Sequence, residues 1–210
     1  MRRVALLAGT LALMAAWLGP LPLVARDAFS AHMVLHMTVV AVAAPILALG
    51  VAGGRLDPVR ATPALLPPIP LSVVELAVVW SWHAPVLHHA ARHRSDAFAA
   101  EQASFLVSGL LVWLSAFGGD EDGSAPRRAA GVVALLLTSM HMTLLGALLA
   151  LTPRPLYHGT TGLAWLSPLD DQHLGGAIML VAGGLVYLAG GLGLTWRVLS
   201  ASRVQRPERA

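Results

Sequence analysis

Six long apolar runs constrain this 210-residue chain more than any other feature. A membrane-spanning helix needs about 20 predominantly apolar residues. The runs are 4–18, 28–49, 71–89, 98–117, 129–151 and 172–199, the first of them short. Between them stand helix-ending residues: Gly19-Pro20-Leu21-Pro22, the Pro/Gly-rich stretch 50–70, Arg92–Asp96, Gly118–Arg128 and 152–171. The expected fold is therefore all-α: one polytopic transmembrane bundle over residues 1–210 with about six spans. Composition agrees. Charged residues make up 12% of the chain against roughly 25% in a soluble domain, and mean hydropathy is +0.69. Too few charges remain to cover a soluble enzyme, a coiled coil or a nucleic-acid-binding domain. Cysteine is absent, which excludes disulfide scaffolds, thiolate zinc sites, iron–sulfur clusters and cysteine nucleophiles.

Arginine sets the expected topology, since every basic residue is arginine. With the N-terminus inside, ten arginines fall in inner segments and four (Arg26, Arg92, Arg94 and Arg154) in outer ones. That bias places both termini in the cytoplasm. Arg2-Arg3 before an apolar run also describes a secretory signal peptide. No small-x-small cleavage site precedes Asp27, which favours a retained anchor.

This topology sorts the unusual residues by depth. His36, His83, His141 and Met179 fall about 9–15 Å below the outer edge, on four different spans. His32 and His36 are spaced i, i+4 and share a helix face, with Met33 and Met37 beside them. The fifth span carries Met140-His141-Met142. Neutral imidazole and thioether groups suit Cu(I) without bringing charge into a low-dielectric site. Each methionine alone reads more simply as packing, and a lone intramembrane histidine serves an interhelical hydrogen bond as readily as a function. Matched depth on separate helices makes His32, His36, His83 and His141 the metal candidates. Met33, Met37, Met140, Met142, Met179, Glu101, Asp171 and Gln172 are further ligand or supporting candidates. His88, His89, His93, His158 and His173 fall at the water boundary, where a solvated role is favoured.

Other residues shape the expected site. Pro85 removes a backbone hydrogen bond just after His83. Glu101 has Arg92, Arg94 or a histidine as potential partners, whereas Glu75 lies in the inner half, away from the slab. Gly176, Gly183 and Gly190 form a seven-residue stripe that permits close helix packing. Asp120-Glu121-Asp122 sits in an inner loop and reads as solvated.

Five pieces of the chain resemble the polytopic CtaG family of cytochrome c oxidase assembly factors. They are Ala31-His32-Met33-Val34-Leu35-His36-Met37 with Ala44-Pro45; Trp80-Ser81-Trp82-His83-Ala84-Pro85; Glu101 with Trp113; Met140-His141-Met142; and Asp171-Gln172-His173-Leu174-Gly175-Gly176-Ala177-Ile178-Met179. The resemblance covers roughly residues 28–190. It implies a protein of the bacterial cytoplasmic membrane that delivers copper to a haem–copper oxidase, with the metal site toward the periplasm. His32, His36, His83 and His141 become metal-handling candidates, and Asp171 and Gln172 the signature at the head of the last span. Gln102 and Leu180 depart from the family pattern, which has histidine and tryptophan there, and the family often has seven spans.

The leading expectation is a non-enzymatic copper-binding assembly factor. Its partners would be cytochrome c oxidase subunits, the lipid bilayer and a copper-donor protein, with no nucleic acid. Haem b held between facing histidines is an alternative, and so is a copper transporter. A hydrolase lacks support, because no His-Glu-x-x-His motif is present.

Overall fold

The computed structural model describes residues 1–119, 125–157, 162–163 and 165–204. Asp120, Glu121, Asp122, His158, Arg206 and Arg209 lie outside these, and Arg203 is described in its backbone alone. The described residues form helices without strands: α1 (Arg2–Leu18), α2 (Phe29–Val51), α3 (Pro68–His83), α4 (Pro85–His93), α5 (Ser95–Phe117), α6 (Ala125–Leu151) and α7 (Pro168–Val204).

Four of these, α2, α5, α6 and α7, are long and apolar enough to cross a membrane, and α3 with α4 makes a fifth if the bent pair is one span. Five of the six expected runs thus meet that length, counting the bent pair as one. The sixth is α1, whose 17 residues reach about 26 Å, the low end of what a crossing needs. It packs against α2 through mutual notches. Leu47 occupies the space a Cβ on Gly9 would take, and Leu6 occupies that of Gly50. Polarity runs inside out, as lipid as solvent requires. Val107, Leu144, Val181 and Leu185 are more than half exposed, while His32, His36, Glu75 and Glu101 are fully buried.

α6 and α7 approach most closely. A Cβ on Gly146 would lie 2.5 Å from Leu180 N, and one on Gly176 would lie 2.5 Å from Ala150 N. Helices this close rely on the absent side chains. Gly176→Val is expected to abolish the monodisperse folded peak in detergent size-exclusion chromatography, because backbone cannot shift as a flexible side chain can.

Pro45 shapes α2. The helix widens to a π turn over Thr38–Ala43, where Ala44 N–H donates to Val39 O rather than to Val40 O. The next residue is Pro45, which has no N–H to offer. Val40 O is therefore left without a helical donor and accepts Trp113 Nε1–H at 3.2 Å and Tyr187 O–H at 3.3 Å. The Tyr187 hydroxyl also reaches Glu75 Oε1 at 2.6 Å, and Thr138 Oγ1 donates to Glu75 Oε2 at 3.2 Å. Glu75 thus joins α2, α3, α6 and α7 in one buried polar knot, satisfying groups that lipid could not.

Candidate functional site

The chain breaks between α3 and α4 at Ala84, which is extended (ψ 132°), and Pro85 opens α4 as its first residue. The two helices meet at 71°. Proline suits a first helical turn, where no intrahelical acceptor is lost. The expected continuous span 71–89 is thereby corrected, and two other readings change with it. The bend turns His88 and Arg92 back into the bundle, 2% and 7% exposed. Neither is solvated.

His88 joins His32, His36 and His83 in one cluster. Ring centroids lie 4.8 Å apart for His32–His88, 5.3 Å for His36–His83, 5.7 Å for His32–His83 and 6.3 Å for His32–His36. Seven of the eight ring nitrogens have no hydrogen-bond partner; the eighth, His83 Nδ1, lies 2.6 Å from Val79 O. That contact fixes His83 with Nδ1 protonated and Nε2 bearing its lone pair. Buried nitrogens without partners are costly, and those of neighbouring rings are available to a ligand. One potential ligand atom of each of His32, His88 and Glu101 lies within 4.8 Å of the others.

Aromatic rings wall the cluster. Phe105 lies 4.1 Å from His36, and Tyr157 lies 4.3 Å from both His88 and Phe29. Tyr157, in the α6–α7 connection, donates its hydroxyl to His83 O at 2.9 Å. Burial pushes that hydroxyl above its ordinary range, which keeps it a donor.

Glu101 is held from two sides. Arg92 Nη2 donates to Oε2 at 2.5 Å and Gln102 Nε2 at 3.1 Å, while His32 Nδ1 stands 4.0 Å away. Arg92 also donates to Ala25 O at 3.1 Å. Gln102 in turn accepts Trp17 Nε1–H at 3.0 Å. The residue that departs from the family pattern therefore ties α1 to the carboxylate beside the imidazoles.

Other candidates position rather than surround the cluster. Asp171, on α7, accepts from Phe29 N (2.6 Å), Ser30 N (3.3 Å) and Ser30 Oγ. It caps the first turn of α2, whose own N-cap residue Ala28 has no side-chain acceptor. Asp171→Ala is expected to cost about 1–3 kcal/mol, read as a lower thermal midpoint, and to loosen His32 two residues further on. Gln172 accepts from Leu156 N at 2.6 Å and donates to Leu149 O at 3.3 Å, holding the connection that carries Tyr157.

The methionines turn elsewhere. Met33 packs where a Cβ on Gly175 would stand, and Met37 and Met142 pack at Gly183. Met179 is buried on α7, and Met140 is 68% exposed on the outer surface of α6. Successive helical residues are about 100° apart. The His32–His36 face of α2 consequently looks toward α3, α4 and α5, and its methionine face toward the glycine stripe of α7. His141 is buried with both ring nitrogens unpartnered, yet among the described residues it makes no ring contact with the other four. Sequence spacing missed His88. Its signal was Pro85, which redirects the chain between His83 and His88.

One family model, described as cytochrome c oxidase caa3 assembly factor (Caa3_CtaG), matches residues 1–201. No curated protein and no solved structure matches the chain.

Proposed function

The chain belongs to the cytochrome c oxidase caa3 assembly factor family, and from that premise we propose that it carries Cu(I) to an oxidase subunit through the imidazole cluster. The observation that supports this reading is the set of seven unpartnered ring nitrogens on His32, His36, His83 and His88 inside a lipid-facing bundle. Neutral imidazoles bind a soft monovalent cation without burying further charge. Glu101, already neutralised by Arg92, stands near enough to His32 to respond when a cation enters. Such a cargo site works by ligand exchange. It has to be accessible from one end, and His32 lies within one turn of the start of α2.

The arginine bias along the chain makes the histidine end the extracytoplasmic one, which would put transfer on the side where an oxidising compartment disfavours thiol donors. Contact among the four imidazoles, with Phe29, Phe105 and Tyr157 packed on them, favours a bare ion over a flat haem macrocycle.

The test is anaerobic loading of the detergent-purified protein with Cu(I), followed by elemental analysis and a visible spectrum. About one copper per chain without a Soret band is expected. A Soret band at one haem per chain, with copper absent, would overturn the reading.

A further inference from the structure

At the opposite end of the bundle from the histidines, where α1, α3 and α6 begin and α2 and α5 finish, lies a cavity of about 640 Å³. Five arginines from different parts of the chain line it: Arg2, Arg60, Arg127, Arg128 and Arg197. A topology rule asks only for basic residues in the loops on one side. It does not ask them to converge on one hollow.

The chain builds this convergence. Gly53 has φ +66° and sits where a Cβ would lie 2.9 Å from Arg2 Nη2, so the missing side chain admits that guanidinium. Arg127 is fixed by donating to Pro63 O at 3.0 Å and Leu66 O at 2.8 Å, and Arg60 by donating to Gly53 O at 3.2 Å. Asp57 is buried beside this region without lining the cavity. Its carboxylate accepts Gly53 N, Val59 N and Gly119 N at 2.7–2.9 Å and holds the loop that presents Arg60. On the bundle side the wall becomes apolar with Leu49, Phe117 and Leu194.

We propose that this cavity is a binding site for a phosphate-bearing anion, and that the anion is the headgroup of an acidic phospholipid. Guanidinium groups pair with phosphate oxygens through paired N–H donors. A basic hollow between transmembrane helices at the interface suits a lipid headgroup. The apolar wall continues toward the hydrocarbon, where the acyl chains of a lipid, unlike a free phosphate, have something to cover.

The test uses the full chain in detergent and native mass spectrometry, with phosphatidylglycerol, phosphatidylcholine and inorganic phosphate as separate probes. Arg2→Gln with Arg197→Gln removes two exposed guanidiniums that make no hydrogen bond among the described residues. Arg26→Gln with Arg154→Gln, at the histidine end, matches the loss of charge. Phosphatidylglycerol should be retained about tenfold better than phosphatidylcholine, and that preference should fall about tenfold in R2Q/R197Q but not in R26Q/R154Q. Should R2Q/R197Q not fold, R197Q alone gives the same comparison with a smaller loss. Equal retention of the two lipids, or of phosphatidylglycerol by wild type and R2Q/R197Q, overturns the site. Displacement of phosphatidylglycerol by millimolar inorganic phosphate overturns the lipid assignment.

Discussion

His36→Ala combined with His83→Ala is expected to lower Cu(I) binding at least a hundredfold, taking bound copper from about one ion per chain to under a tenth at equal free copper. These rings meet edge to face with centroids 5.3 Å apart, so removing both takes two of the four clustered imidazoles. Loss of even a group that only orients a ligand costs roughly tenfold to a hundredfold in metal affinity. The double variant should still insert, because each substitution removes unpartnered nitrogens rather than breaking hydrogen bonds, apart from the His83–Val79 contact. The comparison variant is His141→Ala, which should keep its copper, since His141 makes no ring contact with the four among the described residues. Elemental analysis of both, beside their circular dichroism, checks the pair. Loss of copper from His141→Ala alone would move the centre toward α6.

Arg92→Met is expected to destabilise the protein by about 3–5 kcal/mol, the usual cost of leaving one member of a buried ion pair without its partner. Glu101 is fully buried, and the remaining hydrogen bond from Gln102 comes from a neutral amide. For a chain of this size the thermal midpoint should fall by roughly 10 °C. Adding Glu101→Gln should recover most of that loss by removing the stranded carboxylate. If the double variant is no more stable than Arg92→Met, the bond from Arg92 to Ala25 O carries the effect instead of the charge pair.

Much of the architecture was legible in the chain because lipid imposes a simple length rule. Five of the six apolar runs are helices long enough to cross, counting the bent pair as one. Of the residues matched in depth, His36 and His83 pack ring to ring with each other and His83 with His32, whereas His141 makes no ring contact with them among the described residues. What the sequence could not show depends on rotation about helix axes and on bends. Depth treats Met33 like His32, but a 100° step sends one to the glycine stripe and the other to the imidazole cluster. Equally, a hydropathy run passes through Pro85 without a break, while the backbone turns by 71° there. That turn brings in His88, which no periodic pattern marks, and sets Arg92 against Glu101, one of the pairings the sequence offers. The knot around Glu75 was hidden for a related reason: the demand for donors comes from Pro45, and the donors sit on Trp113 and Tyr187, far away in sequence.

The cap that Asp171 places on α2 joins residues 142 positions apart. Ribosomes make α2 before α7, so the turn leading into His32 goes without its acceptor until α7 has been made. A nascent chain would then meet copper with that turn still frayed. On the proposed copper-carrying role, competence to receive the ion would arise only once α7 is in place, which would spare the cell from committing scarce metal to chains that lack it.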